Sequence, residues 1–198
     1  MKKLFFVLLS LGLSFSHAQN TRSNFPDVLK LGYQVKRPDR IETNVFADLG
    51  AWHAYTLPSD SGDYGSFIGP LIMDMSGRWL ANSIAKLSVK ETGRVIDLKK
   101  GRIVQHYYPG MLEQEIHVAE LRITLRLIYV SSTEAMVQTQ IFNLSLQKRK
   151  LELSWSGQVL LKDAELKKDK NSIAVLFDKN HVFRLNFSGQ KNIKILKD

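Results

Sequence analysis

Leu121-Arg122-Ile123-Thr124-Leu125-Arg126-Leu127 alternates apolar and polar residues at every step. A period of two puts the four aliphatic side chains on one face of an extended strand and the arginines and threonine on the other. Ile116 and Val118 lead into the run in the same style, and Tyr129 and Val130 end it. The pattern recurs downstream. Val137, Thr139 and Ile141 share a face within 135–142, and Leu151, Leu153 and Trp155 alternate with Glu152 and Ser154 up to Gly157. Phe183, Leu185 and Phe187 alternate with Arg184 and Asn186, and Ile173 to Phe177 is a short apolar run. Upstream, Leu87 and Val89, then Val95 and Ile96, flank Glu91-Thr92-Gly93-Arg94, which reads as a hairpin turn.

Strands of this length and spacing predict an all-β fold of antiparallel sheets packed as a sandwich. One or two short helices are expected, at about Ser23–Leu31 and about Gly77–Lys86. No internal repeat of fixed period is visible. Ile193-Lys194-Ile195 reads as the opening of another strand, and the chain stops at Asp198 shortly after it, which fits a domain cut from something larger.

The chain has 198 residues, 44% of them hydrophobic, a net charge of +9 and no cysteine. That is globular composition, long enough for one well-filled core. The absence of cysteine excludes disulfides, thiolate zinc sites, a cysteine nucleophile and a lipoprotein anchor. Residues 1–18 read as a secretory signal peptide. Lys2-Lys3 precedes an apolar run from Leu4 to Leu13, and Ser16-His17-Ala18 places small residues around a cleavage point before Gln19. The run is shorter than the roughly 20 residues that span a bilayer. The expectation is therefore a periplasmic or secreted domain over 19–198, with no membrane contact after cleavage.

Phosphate-loop, dinucleotide, nucleophile-elbow and H-E-x-x-H signatures are all missing. Among His53, His106, His117 and His181 no two have metal-ligand spacing, so no metal or cofactor is expected, and His117 reads as a surface residue on a strand. Asp60-Ser61-Gly62-Asp63 reads as a turn rather than a calcium loop, since the remaining ligands do not follow. The basic excess lies mostly in 148–198 without any recognition element beside it, so solvated strand faces are expected rather than nucleic-acid contacts.

Phe46-Ala-Asp-Leu-Gly-Ala-Trp-His53 stands apart, with Leu57-Pro58, a polar turn over 59–65 and Ser66-Phe67-Ile68-Gly69-Pro70 after it. It reads as a Gly-rich loop system presenting Trp52, His53 and Tyr55. A flat apolar face with a polar edge suits a sugar ring, which makes these three the candidate substrate-binding residues. On composition alone Trp52 fits a core pocket beneath the loops at least as well.

This segment resembles the N-terminal region of bacterial glycoside hydrolases of family 63, which are exported α-glucosidase-like enzymes related to the eukaryotic mannosyl-oligosaccharide processing glucosidase. Further matches follow in order: Leu87-Ser-Val89 with Gly93-Arg-Val-Ile-Asp97, Pro109-Gly-Met-Leu-Glu-Gln114, and Leu153-Ser-Trp-Ser-Gly157. The resemblance runs over roughly 25–165. It implies a super-β-sandwich that precedes an (α/α)6 barrel, with the barrel carrying the two carboxylates of an inverting hydrolysis. It also implies the partners: the catalytic barrel domain of the same enzyme, and an oligosaccharide substrate. No residue of this chain matches a catalytic position of the family, so none is expected to be catalytic, and the Trp52–Tyr55 loop is expected to reach the barrel or its cleft. A freestanding carbohydrate-binding sandwich is the alternative, and a purely structural exported domain a third reading.

Overall fold

A computed structural model describes residues 26–178, 181–188 and 193–195. The signal-peptide segment lies outside the described residues. Among the described residues thirteen strands follow one another: β1 (His53–Thr56), β2 (Ile68–Ile72), β3 (Arg78–Trp79), β4 (Lys86–Glu91), β5 (Arg94–Ile96), β6 (Arg102–Tyr108), β7 (Met111–Val118), β8 (Leu121–Ser131), β9 (Glu134–Asn143), β10 (Leu151–Ser156), β11 (Glu165–Lys168), β12 (Ser172–Phe177) and β13 (His181–Asn186). All the strand pairs are antiparallel, and they form four sheets ordered β1-β2-β3, β10-β4-β5, β6-β7-β8-β9 and β11-β12-β13. The all-β, sandwich-like class read from the Leu121–Leu127 alternation is the observed one.

The alternation explains the packing. Leu121, Ile123, Leu125 and Leu127 of β8 are fully buried, and so are Leu112 and Ile116 of β7. They meet Leu87 and Val89 from β4, with Leu57 and Phe67 filling in from the loop system. Ile123 sits opposite Ile116 on one side and Ile141 on the other, so the register keeps apolar side chains together on the inner face. The β4–β5 hairpin turns at Thr92-Gly93 (φ 49° and 79°) and the β7–β8 hairpin at Ala119-Glu120 (φ 47° and 56°). Positive φ at both central positions is the type I′ turn, whose twist matches that of the strands it joins. Arg149 clasps these turns together, with paired bonds to Glu91 at 2.6 and 2.7 Å and a third to the Ala119 carbonyl. β10 forms an edge, which leaves Leu153 and Trp155 about two-fifths exposed although they share a face with the buried Val89 and Leu87.

Neither predicted helix forms among the described residues; positions 23–25 of the first lie outside them. Among the described residues the only helical turns are single 3₁₀ turns at Ser61–Asp63 and Leu98–Lys100. In the first segment Asp27 takes φ 61°, its N–H donates to the Tyr107 carbonyl of β6 at 2.8 Å and its carboxylate accepts from the Tyr107 N–H at 2.8 Å, which fixes the chain as a turn. In the second, Trp79 enters one core cluster, with Ala54, Ile68 and Leu71, while Leu80 enters another, with Val175 and Phe177. Sending adjacent side chains in opposite directions requires extended backbone. The strand expected at Ile193–Ile195 is likewise absent; those residues have no regular structure, and Ile193 is buried.

Candidate functional site

The segment read as loops contains β1 and β2. β1 is buried at every position, so it lacks the alternation that marks a half-wet strand. Ahead of it, Leu49 and Gly50 both have positive φ (52° and 69°), the Ala51 N–H donates to the Asp48 carbonyl at 3.0 Å, and the Asp48 carboxylate accepts from the Leu49 N–H at 2.7 Å. This tight turn reverses the chain so that Phe46 and Tyr55 exchange backbone bonds at 2.7 and 2.9 Å.

The turn separates the three candidate residues. Trp52 projects outward and is 71% exposed. Its carbonyl accepts from the Met73 N–H at 2.8 Å. Leu49 at 55% exposure and the fully exposed Met75 add apolar surface from the segments on either side. His53 and Tyr55 turn inward instead, each 7% exposed. The structure therefore does not bring the three together as one platform; only Trp52 can meet a ligand or partner directly.

His53 and Tyr55 support the loop from below. The Tyr129 hydroxyl donates to the His53 carbonyl at 2.6 Å, with the Phe46 carbonyl 3.2 Å away. Burial holds the Tyr55 and Tyr129 phenols far above the usual tyrosine range, so Tyr129 remains a donor. The His53 ring lies among Tyr55, Tyr129 and Phe183, with centroids 5.6, 5.2 and 6.1 Å away. Neither of its nitrogens makes a well-formed hydrogen bond. Burial pushes its pKa below the ordinary 6.5, against a smaller opposing pull from the Thr133 backbone.

That shift has a sign. The unfolded chain binds a proton at His53 that the folded chain resists, so this group costs no stability above about pH 6.5 and destabilises the fold as pH falls below that value. Urea melts between about pH 7.5 and 5 should show the loss, and His53→Phe, which keeps a ring but cannot titrate, should flatten it. Equal slopes in the two proteins would assign the dependence to other groups. The carboxylates with depressed pKa act in a lower window; Asp74, beside Arg78, is pulled down to about 2.

Arg78 steadies the segment that carries Met75. It bonds Asp74 at 2.6 Å and Asp178, at the end of β12, at 2.5 Å. Asp74 also accepts from the Ser76 and Gly77 N–H groups at 3.1 and 2.9 Å, closing a turn.

The remaining sequence motifs prove to be braces. Gln114 is fully buried. Its Oε1 accepts from the Gly65 N–H at 3.3 Å and its Nε2 donates to the Ser66 carbonyl, so it clamps the turn in front of Phe67. Gly157 lies so close to Ile84 that a Cβ there would stand 2.4 Å from the Ile84 carbonyl oxygen. Gly110 borders Asp48, whose carboxylate would lie 3.8 Å from a Cβ at that position. Sequence reasoning did not anticipate Gln114 as the clamp, although the P-G-x-L-x-Q step already placed a polar residue in phase with the inward-facing Leu112.

The fold and loop define the class: an all-β, sandwich-like domain that exposes Trp52 at its loop end. The family model described as glucosidase YgjK, N-terminal, matches residues 25–193, and the chain belongs to that family.

Proposed function

We propose that this chain is the non-catalytic N-terminal sandwich of an exported, family-63-like α-glucosidase, and that its loop end packs against the enzyme's catalytic (α/α)6 barrel. Membership of a glucosidase N-terminal family supports a catalytic domain as partner. The single observation that carries the choice of surface is Trp52, 71% exposed. Leu49 and Met75 extend the apolar area, and large exposed apolar side chains grouped at a loop end mark interaction surfaces. Export follows from the signal peptide read over residues 1–18, with cleavage after Ala18. The acid and base of the reaction belong to the barrel, so the chain alone is expected to leave nigerose and kojibiose intact.

Trp52→Ala provides the test. As a surface change it should alter the urea melt of the free domain by about 0.5 kcal/mol or less. Binding to a separately produced catalytic barrel of a related glucosidase should weaken by about 30-fold, the scale of a buried aromatic anchor. Unchanged barrel binding by the variant would refute the assignment of this surface. A freestanding sugar-binding role for the exposed Trp52 ring would show instead as disaccharide binding that Trp52→Ala abolishes, with no barrel association at all.

A further inference from the structure

The edge of a sheet presents a row of unpaired N–H and C=O groups, and proteins guard such rows by shortening, charging or covering them. Most edges of this fold are guarded. β3 and β5 are short. β10 carries Glu152, β11 carries Glu165, Lys167 and Lys168, and β13 carries Arg184. β6 is overlaid at Tyr107 by Asp27, and β1 at Tyr55 by Phe46. β9 has no such device. It is ten residues long and ends the sheet β6-β7-β8-β9, and among the described residues no strand pairs with its outer side. From Ala135 to Gln147 the sequence holds no charge, proline or glycine, in a chain that is 24% charged. Met136, Val137 and Phe142 are exposed along it. The edge ends at Leu144, whose N–H turns back to the Glu120 carbonyl at 2.8 Å.

The strand's own sequence selects the partner. About Thr139 it reads alike in both directions: Gln138 and Gln140 flank it, then Val137 and Ile141, then Met136 and Phe142. Antiparallel pairing with a second copy, about a two-fold axis at Thr139, therefore sets like against like. Val137 meets Ile141 on the face shared with the buried Leu127 and Ile123. Gln138 meets Gln140 and Met136 meets Phe142 on the other face. Cross-strand pairs of β-branched residues, and a thioether beside a ring, both stabilise a ladder. No charge meets its own copy, the repulsion that a self-pairing strand has to avoid. Phe142 is already braced, with the Arg122 guanidinium 4.5 Å from its ring centre. A two-fold contact uses the same edge of both copies, so it closes at two. The outer edges of the joined sheet are then the β6 strands, which Asp27 overlays.

We propose that the β9 edge is a self-association surface: two copies of this chain pair their β9 strands antiparallel about Thr139 and join their sheets into one, independently of what the Trp52 loop docks. Sedimentation of the full chain at about 100 μM should show mainly dimer that dissociates on dilution, with a dissociation constant on the order of 10 μM for so small an interface. Gln138→Lys combined with Gln140→Lys sets lysines opposite lysines and should weaken association by about 30-fold or more. Trp52→Ala should leave it unchanged. The chain has no cysteine, so an introduced thiol reports the register without background. Thr139→Cys places the two sulfurs within disulfide reach, and mild oxidation should link the copies in high yield. Val137→Cys would stand roughly 14 Å from its own copy, four residues along the partner strand, and should not link alone. Mixed with Ile141→Cys it should link. Four results would each overturn the proposal: a parent that is monomeric at about 100 μM, association that the lysine pair leaves intact, equal disulfide yield from Thr139→Cys and Val137→Cys, or a lysine pair that abolishes binding to the catalytic barrel while the parent alone sediments as a monomer.

Discussion

Trp79→Ala should lower the stability of the domain by about 3–5 kcal/mol, the scale for emptying a buried tryptophan site. Trp79 is fully buried although its strand is only two residues long. Its ring stacks on Tyr33 at 5.7 Å and its indole N–H donates to the Arg40 carbonyl at 2.8 Å. Its backbone N–H donates to the Pro38 carbonyl at 2.9 Å. One residue thus holds the segment over 33–40 against the sheet formed by β1, β2 and β3, the sheet from which the Trp52 loop springs. Truncation opens a cavity among Ala54, Ile68 and Leu71 and removes the indole bond to the Arg40 carbonyl. Trp79→Phe separates the two costs, because it keeps most of the ring and loses only the hydrogen bond, for about 1–3 kcal/mol. Urea midpoints report both. A loss below about 1 kcal/mol for the alanine variant would mean that the arm does not depend on this anchor. The contrast with Trp52→Ala is itself informative, since the two substitutions are chemically identical and differ only in burial.

That contrast marks what the sequence could reveal. Leu121 to Leu127 disclosed β8 because one side of that strand is polar, with part-buried arginines at alternate positions. The same holds for the outer turns, where Thr92-Gly93 sits between two apolar pairs. β1 and β2 carry no such signal. His53, Ala54, Tyr55 and Thr56 are all buried because layers pack on both sides of them, and a strand covered on both faces has no period to read. Residues 77–86 failed for a related reason. Trp79-Leu80-Ala81 is a continuous apolar stretch, compatible with a buried helix turn until the positions of two separate clusters are known.

The orientation of the candidate residues was not legible in the sequence. Residue type in a Gly-rich segment singled out Trp52, His53 and Tyr55, and the structure turns Trp52 outward and the other two inward. Which of them faces out depends on the Asp48–Ala51 turn, and on Tyr129, whose hydroxyl reaches the His53 carbonyl from a strand 76 residues further along the chain. A contact of that range leaves no local trace.

Gln114→Leu should be costly for a reason that volume does not explain. Leucine is close to glutamine in size, and its neighbours in phase on β7, Leu112 and Ile116, are fully buried aliphatics, so an apolar side chain at 114 would suit the inner face. Yet the amide is the partner of the Gly65 N–H and the Ser66 carbonyl. Ser66 is itself 1% exposed, so water cannot readily replace the lost bonds. Two backbone groups stranded in the interior should together cost about 2–4 kcal/mol. The effect should spread, because the Gly65 carbonyl accepts from the Leu87 N–H at 2.9 Å and the Ser66 hydroxyl bonds the Asp63 carbonyl at 2.6 Å. Loosening this turn therefore reaches both the start of β4 and the 3₁₀ turn at Ser61–Asp63. Amide exchange gives the specific signature. In the parent the Gly65 N–H should exchange slowly, and in Gln114→Leu it should exchange much faster than the overall loss of stability requires. A variant that melts at or above the parent midpoint, with Gly65 still protected, would show that apolar filling outweighs the clamp and that the glutamine of the P-G-x-L-x-Q step does not hold the turn.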